Sequence, residues 1–233
     1  MRLLVTRPEP DATRTAQALR ARGHEVLVAP LLFTQTLEAE FAGPYGAVLM
    51  TSANAARSVA TQEGAAELRA LPAYVVGNRS AEAAREAGFA HVESADGALA
   101  DLVRLIATRL TGSRMPLLHL AAADRAGDLA GDLSAHGIAV ETAVVYRAIA
   151  AERLPAELGQ ALLNAKLDGA LHYSRRSAAT LIELSRSAGV LSAVLNLAHY
   201  CVSEEVAVPL REAGARRISV APHPVEAALI GML

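Results

Sequence analysis

The sequence predicts an α/β protein made of two similar parallel-sheet domains, and three observations predict it. Short apolar runs of strand length alternate with helical patterns that glycines terminate. That strand–helix–strand grammar returns in the second half of the chain with its order preserved. The chain has 233 residues, 52% of them hydrophobic, enough for one large core or two modest ones.

The elements follow in order. Leu3-Leu4-Val5 reads as a buried strand, and the next segment as a helix capped by Asp11 or Thr13, with Ala12, Ala16 and Leu19 on one face and a stop at Gly23. Val26-Leu27-Val28 is a second strand, completing the β-α-β unit from which parallel sheets are built. Leu31-Leu32-Phe33-Thr34 is extended. Tyr45-Gly46-Ala47-Val48 opens a strand leading to a Ser/Thr turn and an Ala-rich helix, and Val75-Val76-Gly77 opens another whose helix stops at Gly88. Leu117-Leu118 begins a strand, residues 124–135 a helix, Gly137 its end and Val140 the next strand. Val145-Tyr146-Arg147-Ala148 is extended, Leu167 to Leu171 repeats the entry at Tyr45, and Cys201-Val202-Ser203 repeats Val75-Val76-Gly77 with a stop at Gly214.

The matches form a series. Gly23 pairs with Gly137 and Val26 with Val140 at one spacing, which lengthens slightly for Gly46 and Gly169 and again for Gly88 and Gly214. A duplicated domain with a few loop insertions leaves that pattern. The extended segments after the second strand of each copy, Leu31 to Thr34 and Val145 to Ala148, are then crossings that could pair as a ribbon between domains.

Composition excludes several classes of function. The 22 basic and 24 acidic residues give a formal charge of -2, dispersed along the chain, which argues against nucleic acid as a partner. The one cysteine, Cys201, permits no intramolecular disulfide and no multi-cysteine metal framework, and it fits a reducing compartment. No stretch reads as an export signal or membrane span, so the expected location is the cytoplasm, without a membrane partner. Dinucleotide, phosphate-loop, serine-hydrolase and zincin motifs are absent. The seven histidines are scattered, and His119, His172 and His199, on or beside strands, read as hydrogen-bonded structural residues.

What recurs is a strand ending in a small polar turn that opens a helix: Thr6-Arg7-Pro8, Thr51-Ser52-Ala53-Asn54, Gly77-Asn78-Arg79-Ser80, Ser174-Arg175-Arg176-Ser177 and Ser203-Glu204. Open α/β sheets bind ligands at this edge, where free backbone N–H groups favour carboxylate or phosphate. N-capping alone would also place Ser, Thr and Asn there. Arg7, Arg175 and Arg176 add guanidinium groups that could fork onto a carboxylate, whereas Glu204 and Glu205 would themselves complement the dipole of their helix. Tyr146 lies on a proposed crossing, where its phenol could donate a proton into a cleft or simply be a strand aromatic.

With Leu-Val-Thr-Arg-Pro at the start, Thr51-Ser52-Ala53-Asn54-Ala55-Ala56-Arg57, Val76-Gly77-Asn78-Arg79-Ser80-Ala81 and Val144-Val145-Tyr146, nearly the whole chain resembles the uroporphyrinogen-III synthase family. The resemblance implies two flavodoxin-like α/β domains joined by a two-stranded ladder. Residues 1–33 and 150–233 would form one domain, 38–143 the other, and 31–37 with 143–150 the ladder. It implies a monomer that needs no cofactor and no metal, a linear tetrapyrrole substrate, hydroxymethylbilane, and at most brief contact with the preceding pathway enzyme. In the family's reaction, ring A loses its hydroxyl to give an azafulvene cation, and ring D attacks through its substituted carbon to form a spiro intermediate. Reopening and reclosure leave ring D inverted. By motif position the catalytic acid is Tyr146, and substrate carboxylates are held by Thr51, Ser52, Asn54, Gly77, Asn78 and Ser80, with Arg7, Ser174 and Arg175 on the other repeat. A rival reading keeps the fold and a tetrapyrrole or other polycarboxylate ligand but has no turnover.

Overall fold

The computed structural model describes residues 1–124 and 127–233, and the contacts divide them into two compact units, Met1–Phe33 with Ile149–Leu233, and Thr34–Ala148. The chain opens the first unit with β1 (Arg2–Val5), α1 (Asp11–Arg20) and β2 (Glu25–Val28). Neither expected residue caps α1: Pro10 holds the N-cap position, and the Thr13 amide donates to the carboxylate of Glu9 at 3.0 Å. A carboxylate two residues upstream of Asp11 thus takes the part expected of Asp11 or Thr13.

After β3 (Leu32–Thr36) come β4 (Ala47–Met50), α2 (Ala53–Val59), α3 (Ala65–Arg69), β5 (Pro72–Val75), α4 (Asn78–Glu86), β6 (His91–Ser94) and α5 (Leu99–Arg109). The second unit ends with β7 (Leu117–Ala122), α6 (Leu129–Ser134) and β8 (Val140–Ala150). The helix expected over 124–135 starts only at Leu129, because the Asp128 carboxylate caps it by accepting the Gly131 amide at 3.0 Å; residues 125 and 126 lie outside the described residues. The chain completes the first unit with α7 (Ala156–Leu163), β9 (Gly169–His172), α8 (Arg175–Ser187), α9 (Leu191–Leu195), β10 (Ala198–Cys201), α10 (Glu204–Ala213), β11 (Ile218–Val220) and α11 (Glu226–Ile230).

Apart from the β3–β8 pair, the strands of both sheets run parallel. In the first unit the order is β11-β10-β9-β1-β2, and each pair is parallel. The Leu3-Leu4-Val5 run is fully buried because helices cover both faces: Leu3 and Val5 pack with Leu19 and Leu229, and Leu4 packs with Leu158, Leu181 and Leu210. In the second unit the order is β3-β8-β7-β4-β5-β6. Its β4 divides in the same way, with Val48 and Met50 facing the cluster that holds Ala56 and Ala84, and Ala47 and Leu49 facing Leu102, Ile106 and Leu133. Full burial of each such leucine stabilises the fold by about 1.5–3 kcal/mol. The strand β3 is hydrogen-bonded to β8, and the bonds Leu37 N–H to Val145 O and Ala151 N–H to Leu31 O, both 2.9 Å, give the pair antiparallel sense. Among the described residues no helix is long and apolar enough to cross a membrane.

Candidate functional site

In the second unit the chain leaves β4 toward β5 and β6 on one side and returns to β7 and β8 on the other. The carboxyl ends of β4 and β7 therefore flank a topological switch point, where diverging connections leave a crevice. A cavity of about 330 Å³ lies there, lined by Thr51 and Ser52 after β4, Val76 after β5, His119 and Ala122 of β7, Asp124 and Gly127 after it, Leu99 and Leu129 of the covering helices, and Tyr146 of β8.

Tyr146 reaches this cavity through an irregularity in its strand. Along β7 and β8 the register runs Leu120 to Ala143 and Ala121 to Val144, then skips to pair Ala122 with Tyr146. The extra residue, Val145, is a bulge that reverses the alternation of side chains beyond it. Without it Tyr146 would share the face of Val144; with it Tyr146 packs with Met50, Leu118 and Leu120 and is 8% exposed. The Ala123 amide donates to the Tyr146 carbonyl at 2.9 Å and fixes the bulged strand beside the end of β7.

The turn after β4 is a capped helix start. Ser52 has extended backbone, its hydroxyl accepts the Asn54 amide at 3.2 Å, and the Asn54 side-chain oxygen accepts from Arg57 at 3.2 Å. Thr51, Ser52 and Asn54 are all half-buried. The turn after β5 has no side-chain cap: Gly77 is the N-cap of α4, and a Cβ built on it meets no atom within 4 Å. Its carbonyl accepts the Ser80 and Ala81 amides, at 3.0 and 3.1 Å. Asn78 and Arg79 are exposed, whereas Ser80 is buried, with 5% exposure.

The remaining expected contacts lie in the first unit. Ser174 is the N-cap of α8 and accepts the Ser177 amide at 3.1 Å, with Arg175 exposed beside it. Arg7 is buried in a network: it donates to Thr15 at 3.1 Å, to Glu226 at 2.9 Å and to Asp11 at 3.2 Å, and its guanidinium lies 4.0 Å from the centre of the Tyr173 ring. Burial and the Glu226 carboxylate push the Tyr173 phenol up to about 12. Glu204 pairs with Arg211, so the acidic turn after β10 is answered by a cation within its own helix.

His172 and His199 are buried as the sequence implies, and they touch. His199 Nε2 lies 3.1 Å from the Val194 carbonyl, which only accepts, so that nitrogen carries the proton and Nδ1 is the acceptor for His172 Nε2–H at 3.0 Å. Burial, and for His172 the neighbouring ring, push the two down to about 3 and about 4. Sequence reading missed Asp124 and set His119 aside. The available signal was position alone: Asp124 follows the carboxyl end of β7 beside the switch point, and His119 lies within that strand.

The family model for uroporphyrinogen-III synthase HemD matches residues 13–231. Among solved structures the chain is similar to uroporphyrinogen-III synthetase from Helicobacter pylori, at 20% identity and a TM-score of 0.67, over 100% of this chain and 98% of that one. It is similar also to a mutant uroporphyrinogen III synthase from the extremely thermophilic bacterium Thermus thermophilus, at 18% identity and a TM-score of 0.50, over 100% of this chain and 97% of that one. At these identities the likeness is one of fold. No curated protein sequence matches significantly.

Proposed function

The chain belongs to the uroporphyrinogen-III synthase family, the lyases that close hydroxymethylbilane into uroporphyrinogen III, and we propose that its reaction runs in the cavity at the carboxyl edge of the six-stranded sheet with Tyr146 as the acid. The observation that carries this reading is the bulge at Val145, which brings the phenol to a crevice already lined by Thr51 and Ser52. As the ring A C–O bond breaks, its electron pair leaves with oxygen, which takes the phenol proton and departs as water. Ring D then attacks the azafulvene cation through its substituted carbon, and the spiro intermediate reopens and recloses with ring D inverted. The proton lost at final closure returns to the tyrosinate. Little further acid–base chemistry is required, because the main demand is to hold a flexible chain in one arrangement.

The open Gly77 turn, with the amides of Asn78 and Arg79 at the start of α4, suits a substrate carboxylate that approaches the backbone closely. Thr51, Ser52 and Asn54 act at the neighbouring turn, and buried Ser80 supports the Gly77 turn from beneath. Ser174 and exposed Arg175 take carboxylates on the first unit. Arg7, its charge already matched by Asp11 and Glu226, acts by holding that edge together. The two units are read as a duplicated domain with β3 and β8 as the ladder. In support, β2-β1-β9-β10-β11 and β8-β7-β4-β5-β6 are the same neighbour order, with the β-α-β pair first in the chain in one unit and last in the other. A cytoplasmic monomer completes the reading.

Replacing Tyr146 by Phe tests the assigned role. Turnover is expected to fall by about 10²–10⁴-fold, the usual range for general acid catalysis, with product affinity nearly unchanged. Unaltered turnover would remove Tyr146 from the mechanism.

A further inference from the structure

Tyr146 supplies a proton but no counter-charge, and on the mechanism above the departure of hydroxide leaves a cation in the cavity. Among the described lining residues, Asp124 is the one carboxylate. We propose that Asp124 is a further catalytic residue, whose carboxylate stabilises the azafulvenium and spiro cations; the inference rests on the reading of this cavity as the active site.

The cavity lining and the backbone place the group. The residue before it, Ala123, donates its amide to the Tyr146 carbonyl, and Ala122 is the register partner of Tyr146, so Asp124 follows directly from the backbone that holds the acid. The second aspartate after β7, Asp128, does not line the cavity.

A carboxylate here opposes binding of a polycarboxylate substrate and favours the cation derived from it. The interaction is therefore worth more in the transition state than in the ground state, which is the condition for raising kcat rather than affinity. The proton cycle belongs to Tyr146, and the atoms balance as substrate to macrocycle plus water.

The test compares the wild type with Asp124→Asn and Asp124→Glu by kcat, KM, product dissociation constant and isomer analysis. The Asn variant is expected to lose about ten- to a hundredfold in kcat, at or below the loss for one preorganised electrostatic group, while binding product as tightly or severalfold tighter. The Glu variant restores part of the rate. A kcat within twofold of wild type in the Asn variant overturns the inference, as does a joint fall of kcat and product affinity. Wild-type protein that makes only the uninverted isomer overturns the reading of the cavity and this inference with it.

Discussion

Acid should unfold this protein through His172 and His199. Both are neutral in the folded state, pushed from the ordinary 6.5 down to about 3 and about 4, so the unfolded chain binds more protons wherever the pH lies below 6.5. Their stabilising contribution is present above the unfolded value and is lost as pH falls from 6.5 toward the folded values. Between pH 7 and pH 5 each group costs nearly 2 kcal/mol by linkage, about 4 kcal/mol together. That is a large part of the roughly 5–15 kcal/mol typical of a folded domain. The assay is urea unfolding followed by circular dichroism at pH 7, 6 and 5, on the wild type and on His172→Leu. The substitution removes one titrating group and one hydrogen bond, and the Nδ1 it deletes has no hydrogen-bond partner among the described residues. Because both histidines belong to the first unit, the shift is read on that unit's transition if two are resolved. The fall between pH 7 and pH 5 should shrink to about 2 kcal/mol in the variant. A wild type whose stability is flat across this range, or a variant with an undiminished fall, would refute the reasoning.

Two glycines should respond oppositely to alanine. Gly77→Ala adds a methyl into open space on extended backbone, so stability should stay within about 0.5 kcal/mol while product binds severalfold more weakly, as urea unfolding and product titration would show. Gly169→Ala instead drives a Cβ to 2.8 Å from the Ala198 carbonyl and 3.1 Å from the Tyr200 ring, so β9 and β10 must separate. That overpacking should cost about 1–3 kcal/mol in denaturation.

Much of the frame was legible because buried parallel strands are apolar on both faces. Leu3-Leu4-Val5 and Ala47 to Met50 announce themselves for that reason, and glycines such as Gly23, Gly137 and Gly214, all with positive φ, mark where helices end. The edge strands β6 and β11 were not legible, since His91-Val92-Glu93-Ser94 and Ile218-Ser219-Val220 are only partly covered and carry polar residues. Caps were half readable. Ser52 and Ser174 accept from their helices as their residue type suggests, but α1 draws on Glu9, and α6 waits for Asp128. Of the cavity lining, Thr51, Ser52 and Tyr146 could be named from the sequence. The bulge that aims Tyr146 could not, because it depends on register with β7, and Asp124 follows an Ala-rich strand end with no turn motif to mark it.

The most direct test of the account is to generate hydroxymethylbilane in place, add the protein, oxidise the products and separate the uroporphyrin isomers by chromatography. The account predicts predominantly the type III isomer; type I alone, from demonstrably folded protein, would contradict it and leave a fold that binds tetrapyrrole without turning it over.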